Sequence, residues 1–250
     1  MSFDGKRVLV TGGTRGIGAA TVRRFLNAGA HVAIAGRSDA SFDAWHDELQ
    51  SSKATAVTGD IGQPKSSRDL VASAIDWLGG LDVLVNSAGI YEESPVAEID
   101  EAHWTRAISI NLGGTFFCSQ AALPALIESG GNIVNIASES GLVGYLNAAA
   151  YCAAKGGVVN LTKAMAWELA PAVRVNCVCP GNVDTDMMHG AGALSADEAV
   201  FMEAAHAHAP MKRMARPEEI ADAILYFASD SASFTTGVAM PVDGGTLSGA

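Results

Sequence analysis

Thr11-Gly12-Gly13-Thr14-Arg15-Gly16-Ile17-Gly18 lies between a short apolar strand pattern, Arg7 to Val10, and a helical pattern, Ala19 to Ala28. Strand, glycine-rich turn and helix in that order restrict the chain more than any other stretch. The glycines let the backbone turn tightly and approach a ligand. The free amides and the positive end of the helix dipole then face whatever anion lies there. With a strand before it and a helix after, the stretch is read as a dinucleotide pyrophosphate site at the start of a parallel α/β sheet, with a plain βα turn as the alternative.

The alternation continues without repeats or linkers. Strand patterns run over His31 to Ala35, Ala54 to Thr58, Val83 to Val85, Asn132 to Ile136, Val173 to Cys179 and Val238 to Val242. Helical patterns between them cover Phe42 to Leu49, Lys65 to Trp77, Glu101 to Ile127, the segment from Tyr151, and Pro217 to Ala228. The fold class is therefore α/β, one doubly wound parallel sheet with helices on both faces, spanning 1–250 as a single domain. From Asp186 to about Pro210 the pattern turns irregular, with Met187, Met188, Gly190, Gly192 and one short helix from Ser195 to His208. It is read as a mobile lid over a substrate, at about 186–212.

Ligands of such sheets bind at the carboxyl ends of the strands. After the second strand there is no acid at Ala35 or Gly36, and Arg37 follows at once. Arg37 is either a solvated loop residue or, with Arg15, one of two guanidiniums for the 2'-phosphate that only NADP carries. Asp60 either accepts from an adenine amino group or caps the turn before the next helix. Asn86-Ser87-Ala88-Gly89 closes the fourth strand with small residues. Asn111 sits beside Gly113 and Gly114 inside a helix, a local cost of roughly 1 kcal/mol per glycine that points to a kink or a functional contact.

Tyr151 and Lys155 stand four apart on a long alanine-rich helix, which places a phenol and an ammonium on one face. At roughly 4–5 Å and an effective dielectric of about 20, the cation favours the phenolate by ~3–4 kcal/mol, which would bring the pKa from ~10 toward the working range of a general acid or base. Ser138, 13 positions upstream at a strand end, offers a hydroxyl to hold a substrate oxygen beside that phenol.

Composition excludes other classes. A net charge of -11 argues against nucleic acid or an anionic membrane, both of which need clustered Lys and Arg. The apolar runs are broken short of the ~20 residues of a membrane span, and M-S-F-D-G-K has no signal-peptide pattern, so a cytoplasmic location is expected. Cys118, Cys152, Cys177 and Cys179 lack CxxC spacing and histidine neighbours and are read as buried reduced thiols. His206 and His208 point apart on a helix, and no metal is expected.

Taken together, Thr11-Gly-x-x-x-Gly16-Ile-Gly18, Asn86-Ser-Ala-Gly89, Asn111, Ser138, Tyr151-x-x-x-Lys155 and Pro180-Gly181 make the chain resemble the short-chain dehydrogenase/reductase family, classical type, including its 3-oxoacyl reductase-like members. The resemblance covers essentially the whole chain. It implies a Rossmann-like domain of seven parallel strands assembled as a homotetramer, with NADP(H) preferred and NAD(H) possible. It also implies Tyr151 as catalytic acid or base, Lys155 on the nicotinamide ribose and lowering the phenol pKa, Ser138 on the substrate oxygen, and Asn111 supporting a water in the proton relay. Gly12, Thr14, Arg15, Gly16, Ile17 and Gly18 would hold the phosphates, with Arg37 beside them. Asp60 and Ile61 would flank the adenine; Asn86, Ala88 and Gly89 would border the adenosine side; and Pro180, Gly181, Val183 and Thr185 would position the nicotinamide.

The implied substrate is a small carbonyl or secondary alcohol. Glu139, Leu142, Gly144, Tyr145, Asn147, Cys152, Val183, Met187, Met188 and His189 are read as its pocket, with Glu139 either a hydroxyl-binding acid or a solvated loop acid. A 3-oxoacyl thioester on acyl carrier protein is the rival. That acidic carrier needs basic residues at the site mouth, and Pro124 to Gly131 and Met165 to Val173 offer none, leaving only Arg174. A catalytically silent dinucleotide sensor or scaffold is the reading of another class, and the survival of all four chemical residues weighs against it.

Overall fold

The computed structural model describes residues 1–249 as a seven-stranded, all-parallel sheet in the order β3-β2-β1-β4-β5-β6-β7. The strands are β1 (Arg7–Thr11), β2 (His31–Gly36), β3 (Ala54–Thr58), β4 (Val83–Asn86), β5 (Asn132–Ile136), β6 (Arg174–Pro180) and β7 (Ala239–Val242). Helices follow as α1 (Gly16–Asn27), α2 (His46–Leu49), α3 (Pro64–Leu78), α4 (Glu101–Ile108), α5 (Gly114–Ser129), α6 (Ala149–Leu169), α7 (Asp186–Ala193), α8 (Glu198–His208) and α9 (Pro217–Ala228).

The central strands β1, β2 and β4 are mostly apolar and buried because both faces of the sheet are covered there. Val8, Val10, Val32, Ile34, Val83 and Val85 point to one side, where Phe25 of α1 and Ile220, Ile224 and Phe227 of α9 meet them. Leu9, Ala33, Ala35 and Leu84 point to the other, against Leu70 and Val71 of α3 and Leu126 of α5. Register pairs Val8 with both Val32 and Val83, so β1 sits between β2 and β4. Chain order reverses there, which opens a crevice at the carboxyl ends of the strands.

Three expectations need correction. Phe42 to Leu49 is mostly a tight 3₁₀ turn, Asp39–Trp45, followed by the single turn of α2. Trp45 is buried and donates from Nε1 to the Thr14 carbonyl at 3.0 Å, so a tertiary contact with the glycine loop sets this backbone. The expected single helix from Glu101 is broken by a wider π turn, Ser109–Gly113, around Asn111. The 186–212 region is less irregular than expected: Asp186–Ala193 forms α7, and the expected helix from Ser195 is α8, starting at Glu198 and capped by Asp197, whose carboxylate accepts from the Val200 amide at 3.2 Å.

The run from Glu101 to Ser129 has the length and mean hydropathy (1.3) of a bilayer span, yet it packs within the protein against α3 and α6. Beyond α8, Arg213 holds Glu219 through both nitrogens, at 2.7 and 2.8 Å, and the Arg216 amide donates to the same carboxylate. These bonds hold the Glu219 carboxyl at about 2, below its ordinary 4.5. A depressed carboxylate stabilises the fold above the ordinary value and loses that contribution as pH falls through the lower one. Thermal melting of wild type should therefore drop more steeply than that of Glu219→Gln between pH 4.5 and about 2; parallel curves would refute the clamp.

Candidate active site

The crevice is a cleft of about 460 Å³, and it gathers nearly every residue singled out from the sequence. Gly12, Thr14, Arg15, Gly16, Ile17 and Gly18 form one end with Arg37, Asp60 and Ile61. Ala88, Gly89 and Asn111 line the middle. Ser138, Tyr151, Lys155, Pro180, Gly181, Val183 and Thr185 line the other end.

At the glycine end, α1 starts on the cleft with no side-chain cap and no acid in its first turn, so its leading amides face the opening. Gly12 has φ +63°, and a Cβ there would lie 2.7 Å from the Ala88 Cα; one on Gly18 would lie 2.1 Å from the Gly12 carbonyl oxygen. The loop is thus folded onto itself and onto the end of β4, a cradle that side chains would destroy. Arg15 and Arg37 are exposed at the same rim, and among the described residues neither makes an ion pair. Uncapped amides, two unpaired guanidiniums and a volume typical of ligand clefts fit a phosphate-bearing dinucleotide.

Asp60 takes up its turn-capping role, accepting from the Gly62 amide at 2.9 Å while its exposed side borders the cleft. Asn86 is placed differently from the others. It is buried away from the cleft, donating to Ser119 Oγ and Asn135 Oδ1 at 2.9 Å each, and Asn135 donates on to Thr162 Oγ1. Its work is to bind β4 and β5 to α5 and α6. Asn111 is fully buried; its Oδ1 accepts from the Ile90 amide and its Nδ2 donates to the Ala107 carbonyl, both at 3.0 Å. That amide therefore closes the π turn and fixes the loop after β4.

At the chemical end, Ser138 leaves β5 and caps the next turn, its Oγ accepting from the Ser140 amide at 3.1 Å. Tyr151 packs edge-on against Tyr91, ring centroids 4.9 Å apart. Lys155 is buried, its Nζ donating to the Ile136 carbonyl at 2.8 Å and lying 5.7 Å from the centre of the Tyr151 ring.

The expected lowering of the phenol is not met in the protein itself. Burial dominates and pushes Tyr151 up to about 12, with the Ser138 hydroxyl pulling it back. The same burial pushes Lys155 down to about 8. Desolvation disfavours both charged forms and outweighs the Ser138 hydroxyl at Tyr151 and the neighbouring Cys179 and Cys177 at Lys155.

Of the expected pocket, Glu139, Tyr145, Val183, Met187 and Met188 line the cleft, whereas Leu142, Gly144, Asn147, Cys152 and His189 do not. His189 instead contacts Asp184 at 2.7 Å on the surface. Two residues were missed. Tyr91 lines the cleft beside Tyr151, and an aromatic just past the Asn86–Gly89 turn was a usable signal. His208 reaches back from α8 to Tyr145 and Glu139, at 2.9 and 3.2 Å, and nothing in the sequence connects positions that far apart. Burial pushes the Glu139 carboxyl up, opposed by Tyr145 and His208.

Residues 12–246 match the family model described as Enoyl-(Acyl carrier protein) reductase. The chain is 41% identical over 246 residues to the meso-2,3-butanediol dehydrogenase of Serratia marcescens, covering 98% of this chain and 96% of the relative. It is 42% identical over 254 residues to the cis-4-hydroxycyclohexanecarboxylate dehydrogenase of Sinomonas cyclohexanicum, covering 98% and 97%. Among solved structures, the short-chain dehydrogenase/reductase titled glucose/ribitol dehydrogenase from Brucella melitensis superposes with a TM-score of 0.90 at 37% identity, over 98% of this chain and 99% of that one. With fold, cleft and relatives in agreement, the chain belongs to the short-chain dehydrogenase/reductase family, enzymes that act on CH-OH and carbonyl groups with NAD(P)(H).

Proposed function

We propose that the cleft interconverts a small, free secondary alcohol and its carbonyl, with NADP(H) the preferred dinucleotide and NAD(H) accepted. The observation that carries this reading is the convergence of Ser138, Tyr151 and Lys155 on the cleft that the glycine cradle opens into. When bound, the nicotinamide ring supplies or takes up a hydride. The amides of Gly16, Ile17 and Gly18 hold the pyrophosphate, with Gly12 and Thr14 beneath it, and Arg15 and Arg37 meet the 2'-phosphate. Asp60 and Ile61 border the adenine, Ala88 and Gly89 the ribose beside it, and Pro180, Gly181, Val183 and Thr185 the nicotinamide. Lys155 faces the second ribose. Ser138 orients the substrate oxygen, and Tyr151 donates its proton to that oxygen in reduction or removes it in oxidation. Asn111 supports this relay from behind by fixing the π turn and the Ile90 loop. The helices α7 and α8 form the substrate lid.

A phenol at about 12 is protonated at neutral pH and ready to donate. The base form needed for oxidation grows as pH rises. Alcohol oxidation should therefore accelerate above neutral pH more than carbonyl reduction does; an oxidation rate that falls with rising pH contradicts the role of Tyr151.

Cofactor choice is testable at Arg37. Its replacement by Ala should raise KM for NADP(H) roughly 10-fold, the scale of one charge-assisted hydrogen bond at a solvated rim, and change KM for NAD(H) little. A wild type that prefers NAD(H) would sink the 2'-phosphate assignment. A free substrate is favoured over a carrier-bound one because Arg174 is half-buried and donates to the carbonyls of Phe227, Ser229 and Thr235. The secondary alcohols in the names of the relatives support the same choice. Four free thiols suit a reducing cytoplasm, and the exposed Trp104, Phe116, Ile127 and Trp167 on α4–α6 suit a homotetramer.

A further inference from the structure

Glu139 follows Ser138 directly, lines the cleft and has a side chain only 4% exposed. Its Oε1 lies 3.2 Å from His208 Nε2, while its buried Oε2 has no hydrogen-bond partner. The side facing Oε2 is Gly181, where an added Cβ would come within 3.0 Å, so this carboxyl oxygen is packed closely against the cleft wall. A buried acceptor without a donor is costly, and such groups in native proteins are normally satisfied.

Hydrogen-bond accounting indicates what satisfies it. His208 Nε2 also lies 2.9 Å from the Tyr145 hydroxyl. With Glu139 in its ionised form, which only accepts, the ring nitrogen is the donor and shares its proton between Glu139 Oε1 and the Tyr145 oxygen. The Tyr145 hydroxyl, which also acts on the Glu139 carboxylate, is then the proton donor of the cluster. The cluster thus offers one acceptor, Glu139 Oε2, and one donor, the Tyr145 hydroxyl. A hydroxyl group donates and accepts and matches both. An ammonium leaves the Tyr145 proton without an acceptor, and a carboxylate leaves Glu139 without a donor.

We propose that Glu139 and Tyr145, held in place by His208 from α8, form a second polar subsite for a hydroxyl next to the reacting carbon, so that the substrate class is a vicinal diol and its α-hydroxy carbonyl. The neighbouring position follows from the cleft: Ser138, Glu139 and Tyr151 line it together, and Glu139 is near enough to Tyr151 for its charge to raise the phenol pKa. Glu139 and Tyr145 touch the substrate, and His208 is a positioning residue. This inference rests on the alcohol dehydrogenase reading above.

The test compares oxidation of butane-2,3-diol, butan-2-ol and 3-aminobutan-2-ol by the purified enzyme with its dinucleotide. Wild type should favour the diol over the mono-alcohol in kcat/KM by at least about 10-fold, the scale of a hydrogen bond to a charged group. Glu139→Gln should collapse that ratio to near one, mainly through KM for the diol. His208→Ala should lower the ratio, and His208→Gln, which keeps a donor, should recover most of it. Equal use of diol and mono-alcohol by wild type overturns the subsite and leaves the dehydrogenase reading standing, as does a preference for the amino alcohol. Dinucleotide binding with no oxidation of any of the three overturns both.

Discussion

Tyr151→Phe is expected to lower turnover by roughly 10²- to 10⁴-fold, the usual contribution of a positioned acid or base, while dinucleotide affinity stays within about twofold. The substitution removes one oxygen and keeps the ring. The edge-on contact with Tyr91 therefore survives, and so does the packing that leaves Lys155 Nζ on the Ile136 carbonyl. Steady-state rates and a fluorescence titration with dinucleotide separate the two effects. Turnover like that of wild type removes Tyr151 from the chemistry. Equal loss of binding and turnover shows that the hydroxyl supports the cleft rather than the proton transfer.

Gly18→Ala is expected to weaken dinucleotide binding by roughly 100-fold or more, about 2.8 kcal/mol at 1.4 kcal/mol per decade. A single methyl would lie 2.1 Å from the Gly12 carbonyl oxygen, a backbone atom of a residue held at φ +63° beside Ala88. The strain must open the loop that cradles the pyrophosphate. The sheet does not depend on that loop, since β1 remains paired with β2 and β4, so circular dichroism should stay that of the folded protein. Calorimetric titration with NADP and NADH reads the loss. Unchanged affinity would place the pyrophosphate elsewhere, and an unfolded variant would show that the loop carries the fold rather than the ligand.

What could be read from the sequence divides along physical lines. Ala54–Thr58, Asn132–Ile136 and Pro217–Ala228 were legible to the residue, because apolar runs end there at Gly, Pro or polar residues that fix the boundary locally. The glycine cradle and the Tyr151–Lys155 pair were legible because both are spacings within one element. The 3₁₀ turn at Asp39–Trp45 was not, since it is set by Trp45 reaching Thr14. Of the helices after β6, α8 was legible within three residues of its start, whereas α7 was obscured by its glycines and methionines.

The cleft chemistry shows the same limit. Proximity along a helix suggested a lowered phenol, but the sign of its displacement depends on burial, which only the packed structure sets. Asn86 and Asn111 were marked by composition, and their partners Ser119, Asn135, Ile90 and Ala107 come from other elements or from the folded turn. His208 was weighed only against His206 two positions away; its contacts with Tyr145 and Glu139 span 63 and 69 residues.

If Tyr151 removes the hydroxyl proton while the carbon-bound hydrogen leaves directly as hydride, the two hydrogens of the alcohol have separate fates. Oxidation of a secondary alcohol deuterated at the carbinol carbon, followed by mass spectrometry of the reduced dinucleotide, tests this. The deuterium should be recovered on the dinucleotide, one per turnover, with none lost to solvent. Deuterium appearing in water, or an unlabelled reduced dinucleotide, would contradict it.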